Sequence, residues 1–461
     1  MAEVPQKLRL IDATLYGLAL ITGMRWIAVA AAVGPSSLPI WLLALFVFYV
    51  PLSVATVELS ARHPGEGGLY VWVRDTMGPL MGFLVGWFYW IAQIPYFAGI
   101  LYFLSGLILS ALGGDTKDTL LYMGISTAIA AVVTLVQLAG LKYGKWLPNL
   151  GTAGGWIVLA ILVCMAAVIG LKGEGATDFL KSSYAAPANF DTAILWGTIV
   201  FAYSGAEGIG FLRNEVAGGM RAIARVLVLV GLGLAFLYII GTIAFLVILP
   251  HQALTRLGGF PDALRSGLMH VGLGGLAPGV IALFALSMLG GFTAWFGVAA
   301  RLPFAAGGDD FLPARFAYRH PKTGAPVAAL LLQAGLVLVT ILISQSGGTV
   351  ASAYDFLVAM SVLTATLPYI VMFAIYLRSV RLSPVEGGWR GGVRWGVALG
   401  WIGQVATLSA IACTLVPNAG ELHPVAAALK LVLSAAAMAL LGLVLYWFAN
   451  RRRTAATGAA A

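Results

Sequence analysis

Of 461 residues, 60% are hydrophobic and only 10% charged, with a mean hydropathy of +0.94. Those proportions exclude a soluble globular domain and describe a chain that crosses a membrane many times. The formal net charge of +9 does not point to nucleic acid, because the basic residues sort by loop.

An apolar helix of about 20 residues crosses the hydrocarbon. On that ruler the sequence predicts an all-α polytopic membrane protein with 12 transmembrane helices. The spans fall near 10–33, 38–60, 81–110, 119–139, 150–170, 193–212, 223–249, 276–301, 326–343, 353–377, 396–416 and 425–449. With the N-terminus placed in the cytoplasm, the even-numbered loops and the tails hold twenty Lys and Arg residues against six on the other face, and Arg25 lies inside the membrane. The positive-inside rule then predicts cytoplasmic N- and C-termini in a plasma (inner) membrane. On this reading the charge meets anionic lipid headgroups, and no nucleic-acid partner is expected. Lys7 and Arg9 precede a span with no small-residue cleavage site, so the first span is expected to be retained.

Span one contains Ile21-Thr22-Gly23-Met24-Arg25-Trp26. A break near Gly23 would leave the second half-helix with free N–H groups and a positive dipole end, where a carboxylate gains about 0.3–2 kcal/mol. Arg25 lies too deep to snorkel easily; it pairs internally, with Glu207 as one candidate, or it meets a substrate carboxylate. His63, in the loop after span two, reads as a solvated residue. Span three has a polar, kinkable middle in Gln93, Pro95 and Tyr96, where Pro95 removes a backbone donor. Gln93 and Tyr96 either bond between helices or face a cavity. In span five, Gly151, Ala153, Gly154 and Gly155 permit close helix packing. Cys164 and Cys413 form no metal pattern and read as small core hydrophobes.

Span six carries the most informative stretch, Phe201-Ala202-Tyr203-Ser204-Gly205-Ala206-Glu207-Gly208-Ile209-Gly210. Three glycines, a serine, a tyrosine and a carboxylate interrupt an apolar run, and backbone freed at that depth must find a partner or line a cavity. A carboxylate there is a functional-site candidate. Glu215, beyond it, is expected to pair with neighbouring arginines. Asp355 reads as interfacial, and spans eleven and twelve as free of interior charge. Breaks in corresponding places of two halves point to a secondary transporter with its substrate near the midplane. The five histidines fall singly in or beside loops, so a membrane-embedded enzyme lacks its catalytic cluster. No metal- or cofactor-binding motif is present, no catalytic residue is assigned, and nothing sets an oligomeric state. A channel is the other alternative.

Three blocks resemble the amino acid–polyamine–organocation superfamily of amino acid permeases, over nearly the whole chain. They are Glu58 with Pro64-Gly65-Glu66-Gly67-Gly68-Leu69-Tyr70-Val71-Trp72; the span-six stretch with Asn214-Glu215; and Trp295 through Arg301, with Asp309-Asp310-Phe311-Leu312-Pro313 and Gly324-Ala325-Pro326. Within the superfamily, Gly65-Glu66-Gly67-Gly68 and Leu101-Tyr102-Phe103 are most similar to the glutamate/γ-aminobutyrate antiporter branch.

The resemblance implies a five-plus-five inverted repeat (LeuT-like). Residues 10–170 would form the first repeat and 193–377 the second, with residues 396–449 as two extra helices between the tails 1–9 and 450–461. It implies alternating access, spans one, two, six and seven rocking against three, four, eight and nine. An amino acid substrate would place its carboxylate at Ile21, Thr22, Gly23, Met24 and Arg25. Its amino group would meet carbonyls around Phe201, Ala202 and Ser204, with Tyr203 and Gly205 alongside. Trp295 would flank it, Phe201 would gate, and Glu207 would couple transport, with protons a candidate partner; Gln93 and Tyr96 join the candidate site from the polar middle of span three, not from the resemblance. Two departures stand out: Gly23-Met24-Arg25 replaces the family's small-residue break, and the span-five lysine of some proton-coupled relatives is missing. A long C-terminal plug is not expected either. Arg25 inclines the substrate towards acidic amino acids such as glutamate; a Glu207 partner would make a neutral amino acid fit as well.

Overall fold

Backbone groups in lipid must pair internally, and a helix does so within one segment. The computed structural model describes residues 8–63, 68–139, 146–186, 190–210, 216–300, 318, 320, 321, 323–345, 349–416 and 424–458. In chain order the helices begin with α1 (Leu10–Ile21), α2 (Arg25–Ala31), α3 (Ser37–Arg62), α4 (Gly68–Met77) and α5 (Pro79–Leu112). They continue with α6 (Thr119–Ala139), α7 (Trp146–Leu171), α8 (Phe190–Ala202), α9 (Glu207–Gly210), α10 (Gly219–Ile248) and α11 (Gly259–His270). The last are α12 (Ala277–Ala299), α13 (Val327–Ser344), α14 (Val350–Ser379), α15 (Val393–Thr414) and α16 (Pro424–Gly458).

Ten of these helices are long and apolar enough to cross a membrane. The sequence predicts twelve spans, and the difference lies at 10–33 and 193–212, each divided into shorter helices: α1 with α2, and α8 with α9. Within α5, a turn at Ala92 coincides with Pro95, which has no N–H for the carbonyl of Ile91. The stretches 64–67, 213–215 and 301–313, which carry parts of the family resemblance, lie outside the described residues.

The described chain forms two compact units. One comprises residues 1–86, 182–243 and 365–416, and therefore α1–α4, α8, α9 and α15 with parts of α5, α10 and α14. Aromatic rings fill its centre: Trp41 stacks on Tyr238 at 4.3 Å, and Tyr203 lies 5.7 to 5.8 Å from Trp41, Tyr49 and Tyr238. Two of these rings place their polar ends on partners: Trp41 donates to Thr242 Oγ1 at 3.2 Å and Tyr49 to the Leu227 carbonyl at 2.7 Å. Glu58 is buried near the end of α3; its carboxylate accepts from Arg62 Nε at 2.6 Å and from the Trp389 N–H at 2.7 Å. His63 departs from the solvated reading, since it is half-buried with Nδ1 3.6 Å from the Asp75 carboxylate.

The other unit comprises residues 87–181, 244–364 and 417–461. Here α7 packs against α12, and a side chain at Gly154 would reach Leu283 and Ser287 at 3.4 Å, a close approach that small residues allow. Phe260 stacks on Phe284 at 4.0 Å, with Phe103 and Phe245 around the pair. Asp355 pairs with Arg256 at 3.1 Å. Two expectations are corrected in this molecule. Cys164 is exposed on α7 and Cys413 half-buried on α15, so neither is a core residue; a lipid-facing surface asks for apolar side chains as a core does. Lys430 lies within α16, so span twelve does carry a charge; its Nζ donates to the Ser344 carbonyl at 3.2 Å and sits 4.2 Å from the Phe356 ring.

Candidate functional site: two interrupted helices

The first interruption begins where Thr22 leaves the helical region, at ψ 118°, while its N–H closes the last turn of α1 on Leu18. The chain restarts as α2, with the N–H groups of Trp26 and Ile27 bonded to the carbonyls of Gly23 and Met24 at 3.0 and 3.1 Å. Arg25 heads this half-helix and is only 1% exposed. Its guanidinium lies 4.1 Å from the Trp26 ring centroid, a placement that attracts a cation to the π face.

The second interruption follows Ala202. Ser204 turns back on Phe201, whose carbonyl accepts both the Ser204 N–H at 3.0 Å and its hydroxyl at 2.6 Å. Gly205 has φ +102°, a conformation that glycine adopts without a Cβ penalty, and its N–H donates to Tyr369 Oη at 3.1 Å. The same phenol donates to Glu207 Oε1 at 2.9 Å. Glu207 is fully buried and begins α9.

One side chain joins the two interruptions. The Tyr238 hydroxyl accepts the Gly23 N–H at 3.1 Å and donates to the Ala202 carbonyl at 3.1 Å. Trp26 and Phe201 add a second link, with their rings 5.5 Å apart at 84°. Ile21 forms a third, because a Cβ on Gly205 would lie 3.4 Å from Ile21 Cγ1. The Thr22 and Tyr203 hydroxyls, one from each interruption, are buried without a hydrogen-bond partner among the described residues. The arrangement concentrates polar backbone, two hydroxyls, a cation and a carboxylate where apolar helices stop.

Gln93, Tyr96 and Trp295 belong to the other unit. There the Trp295 indole donates to Gln93 Oε1 at 2.7 Å, and Gln93 Nε2 donates to the Tyr89 carbonyl at 3.2 Å. Both Trp295 and Tyr96 are half-buried, and Tyr96 lies 6.1 Å from the Phe97 ring. Carbonyls of α12 are held from both sides, Thr293 by Gln137 at 2.6 Å and Phe296 by Gln333 at 2.8 Å.

Sequence reasoning missed Tyr238 and Tyr369, and it named Trp26 without giving it a role. Tyr369 follows Pro368, a helix-interior proline that is a usable signal of altered backbone; nothing in the sequence around Tyr238 sets it apart.

Comparison with known proteins adds an independent line. A family profile described as "Amino acid permease" matches residues 8–447. An uncharacterized transporter of Legionella pneumophila is 23% identical over 79% of each chain. A probable agmatine/putrescine antiporter of Lactococcus lactis is 22% identical, over 83% of this chain and 82% of the relative. A glutamate/gamma-aminobutyrate antiporter of Lactococcus lactis is 22% identical, over 69% of this chain and 65% of the relative. The profile and these relatives describe membrane transporters and not enzymes.

Proposed function

Because the chain belongs to the amino acid permease family, we propose that it is a secondary-active amino acid transporter working by alternating access. It is an integral membrane protein. In the proposal it spans a plasma membrane twelve times as two inverted sets of five plus two, with both termini in the cytoplasm. The substrate binds between the interruptions of spans one and six. The observation that carries this reading is the Tyr238 hydroxyl shared by the Gly23 N–H and the Ala202 carbonyl. The substrate carboxylate docks near the head of α2, beside the buried Thr22 hydroxyl, and gains from the positive end of the half-helix. Its amino group meets the carbonyls of Ala202 and Ser204 more readily than that of Phe201, which already accepts two hydrogen bonds. Trp295 as a flanking aromatic and Phe201 as gate are proposed on the family resemblance, and Gln93 and Tyr96 on the polar middle of span three. Glu207 couples transport, as proton carrier or as a partner of Arg25.

A buried cation at the site disfavours a diamine by like-charge repulsion and favours an amino acid with a carboxylate. Acidic substrates such as glutamate fit a positively charged Arg25. Neutral amino acids form the second reading, favoured because the guanidinium already lies on the Trp26 ring. Counterflow with the full chain in proteoliposomes, offering glutamate, alanine, serine and putrescine, tests the proposal. Trans-stimulated uptake of an amino acid is expected. Uptake of putrescine alone, or flux without trans-stimulation as in a channel, overturns it.

A further inference from the structure

We propose that the segment joining α14 to α15 binds the headgroup of an anionic phospholipid; this is independent of the transport reading. Both flanking helices are long and apolar enough to cross a membrane, so residues 378–395 lie where two spans leave the hydrocarbon. Arg378 and Arg381 come at the end of α14, and Arg390 and Arg394 at the start of α15. All four are exposed. None of their side chains has a hydrogen bond or ion pair among the described residues.

The segment is pinned in place. Glu58 accepts the Trp389 N–H at 2.7 Å, Arg62 donates to the Ser383 carbonyl at 2.9 Å, and the Tyr376 hydroxyl donates to the Gly396 carbonyl at 3.1 Å. A Cβ on Gly396 would lie 2.5 Å from Val380 Cγ2, and one on Gly387 2.7 Å from Met220 Cβ. The first approach sets the Arg394 end of α15 against the Arg378 end of α14. The second brings up the first turns of α10, which carry the exposed Arg221 and Arg225. Against these six arginines, residues 378–395 contain a single carboxylate, Glu386.

The helices themselves do not call for this arrangement. Arg394 sits in the first turn of α15, at the positive end, where an anion is favoured and a cation is not. Apolar side chains share the patch: Trp395, Leu382 and Val393 are 72%, 60% and 50% exposed. A phospholipid meets both halves. Its phosphate takes paired hydrogen bonds from guanidinium groups, and its acyl chains lie along the apolar side chains at the level where tryptophan collects. Several basic residues beside a span attract anionic headgroups in this way, whereas a free phosphate would leave the apolar half uncovered.

The test follows thermal unfolding of the full chain in a neutral detergent as phosphatidylglycerol, phosphatidylcholine or inorganic phosphate is added. The native chain is compared with the double variant Arg390→Gln, Arg394→Gln. A ligand that binds the folded state raises apparent stability with its concentration. Phosphatidylglycerol is expected to stabilise the native chain, and phosphatidylcholine and inorganic phosphate are not. In the variant, the phosphatidylglycerol concentration giving the half-maximal shift should rise by about tenfold or more, since each basic residue is worth about fivefold. Equal stabilisation by the two lipids, the same shift from inorganic phosphate, or a variant midpoint within about twofold of the native one overturns the proposal. Should that variant not fold, Arg378→Gln with Arg381→Gln is expected to move the midpoint likewise, and no movement there overturns it.

Discussion

Tyr369 spends its single proton on Glu207: the phenol donates to Oε1 across 2.9 Å while its oxygen accepts the Gly205 N–H at 3.1 Å. A carboxylate that begins a half-helix is thus tied to the backbone turn that ends the other half. If Glu207 couples transport to protons, Glu207→Gln should flatten the dependence of uptake on pH. Tyr369→Phe should displace that profile along the pH axis, because the acidity of Glu207 depends on the hydrogen bond it accepts. Initial rates of uptake across the acid-to-neutral range are the measurement, and profiles identical to the native one would exclude the coupling role.

Tyr238→Phe keeps the ring on Trp41 and removes only the oxygen shared by Gly23 and Ala202. Leaving the half-buried Gly23 N–H without its acceptor costs on the order of 1 kcal/mol. The variant should unfold at a lower temperature than the native chain. It should also bind substrate more weakly, since two interruptions held apart from each other no longer present one ready-made site.

Gly205→Ala tests the left-handed turn. With φ at +102°, a Cβ there brings a steric penalty of about 1–3 kcal/mol. The prediction is a loss of thermal stability of that order, together with reduced uptake, because the same residue donates its N–H to Tyr369. A neutral effect would show that the turn relaxes freely.

Glu58→Ala probes a structural carboxylate in the block that carries the family resemblance. Glu58 accepts from Arg62 and from the Trp389 N–H, while Arg62 also reaches the Ser383 carbonyl at 2.9 Å. Removing one member of a buried ion pair costs about 3–5 kcal/mol, here towards the lower end because Arg62 keeps 15% exposure. Thermal unfolding in detergent should show a large fall, greater than for Asp178→Ala, whose pairing with Lys181 is exposed.

Both interruptions were legible because glycine, serine and threonine stand out in an apolar run. The helices around them were legible because hydrocarbon length is a strict ruler. Tyr238 and Tyr369 were not, since a tyrosine in an apolar helix reads alike whether its hydroxyl bridges two segments or meets one carbonyl. Gln93 and Trp295 each attracted notice, yet their hydrogen bond joins residues 202 positions apart, and only the packed chain reveals it. Cys164 was misread for a different reason. Lipid tails are as apolar as a protein interior, so composition does not tell the inward face of such a helix from the outward one.

That outward sulfur has an experimental use. The chain has two cysteines, one exposed and one half-buried. Replacing both gives a thiol-free background in which a single introduced cysteine can carry a fluorophore or spin label. Cys164 itself, on the apolar surface of α7, meets lipid, where a thiol stays protonated and unreactive, so a cysteine introduced in a water-exposed loop should react with a maleimide faster than Cys164.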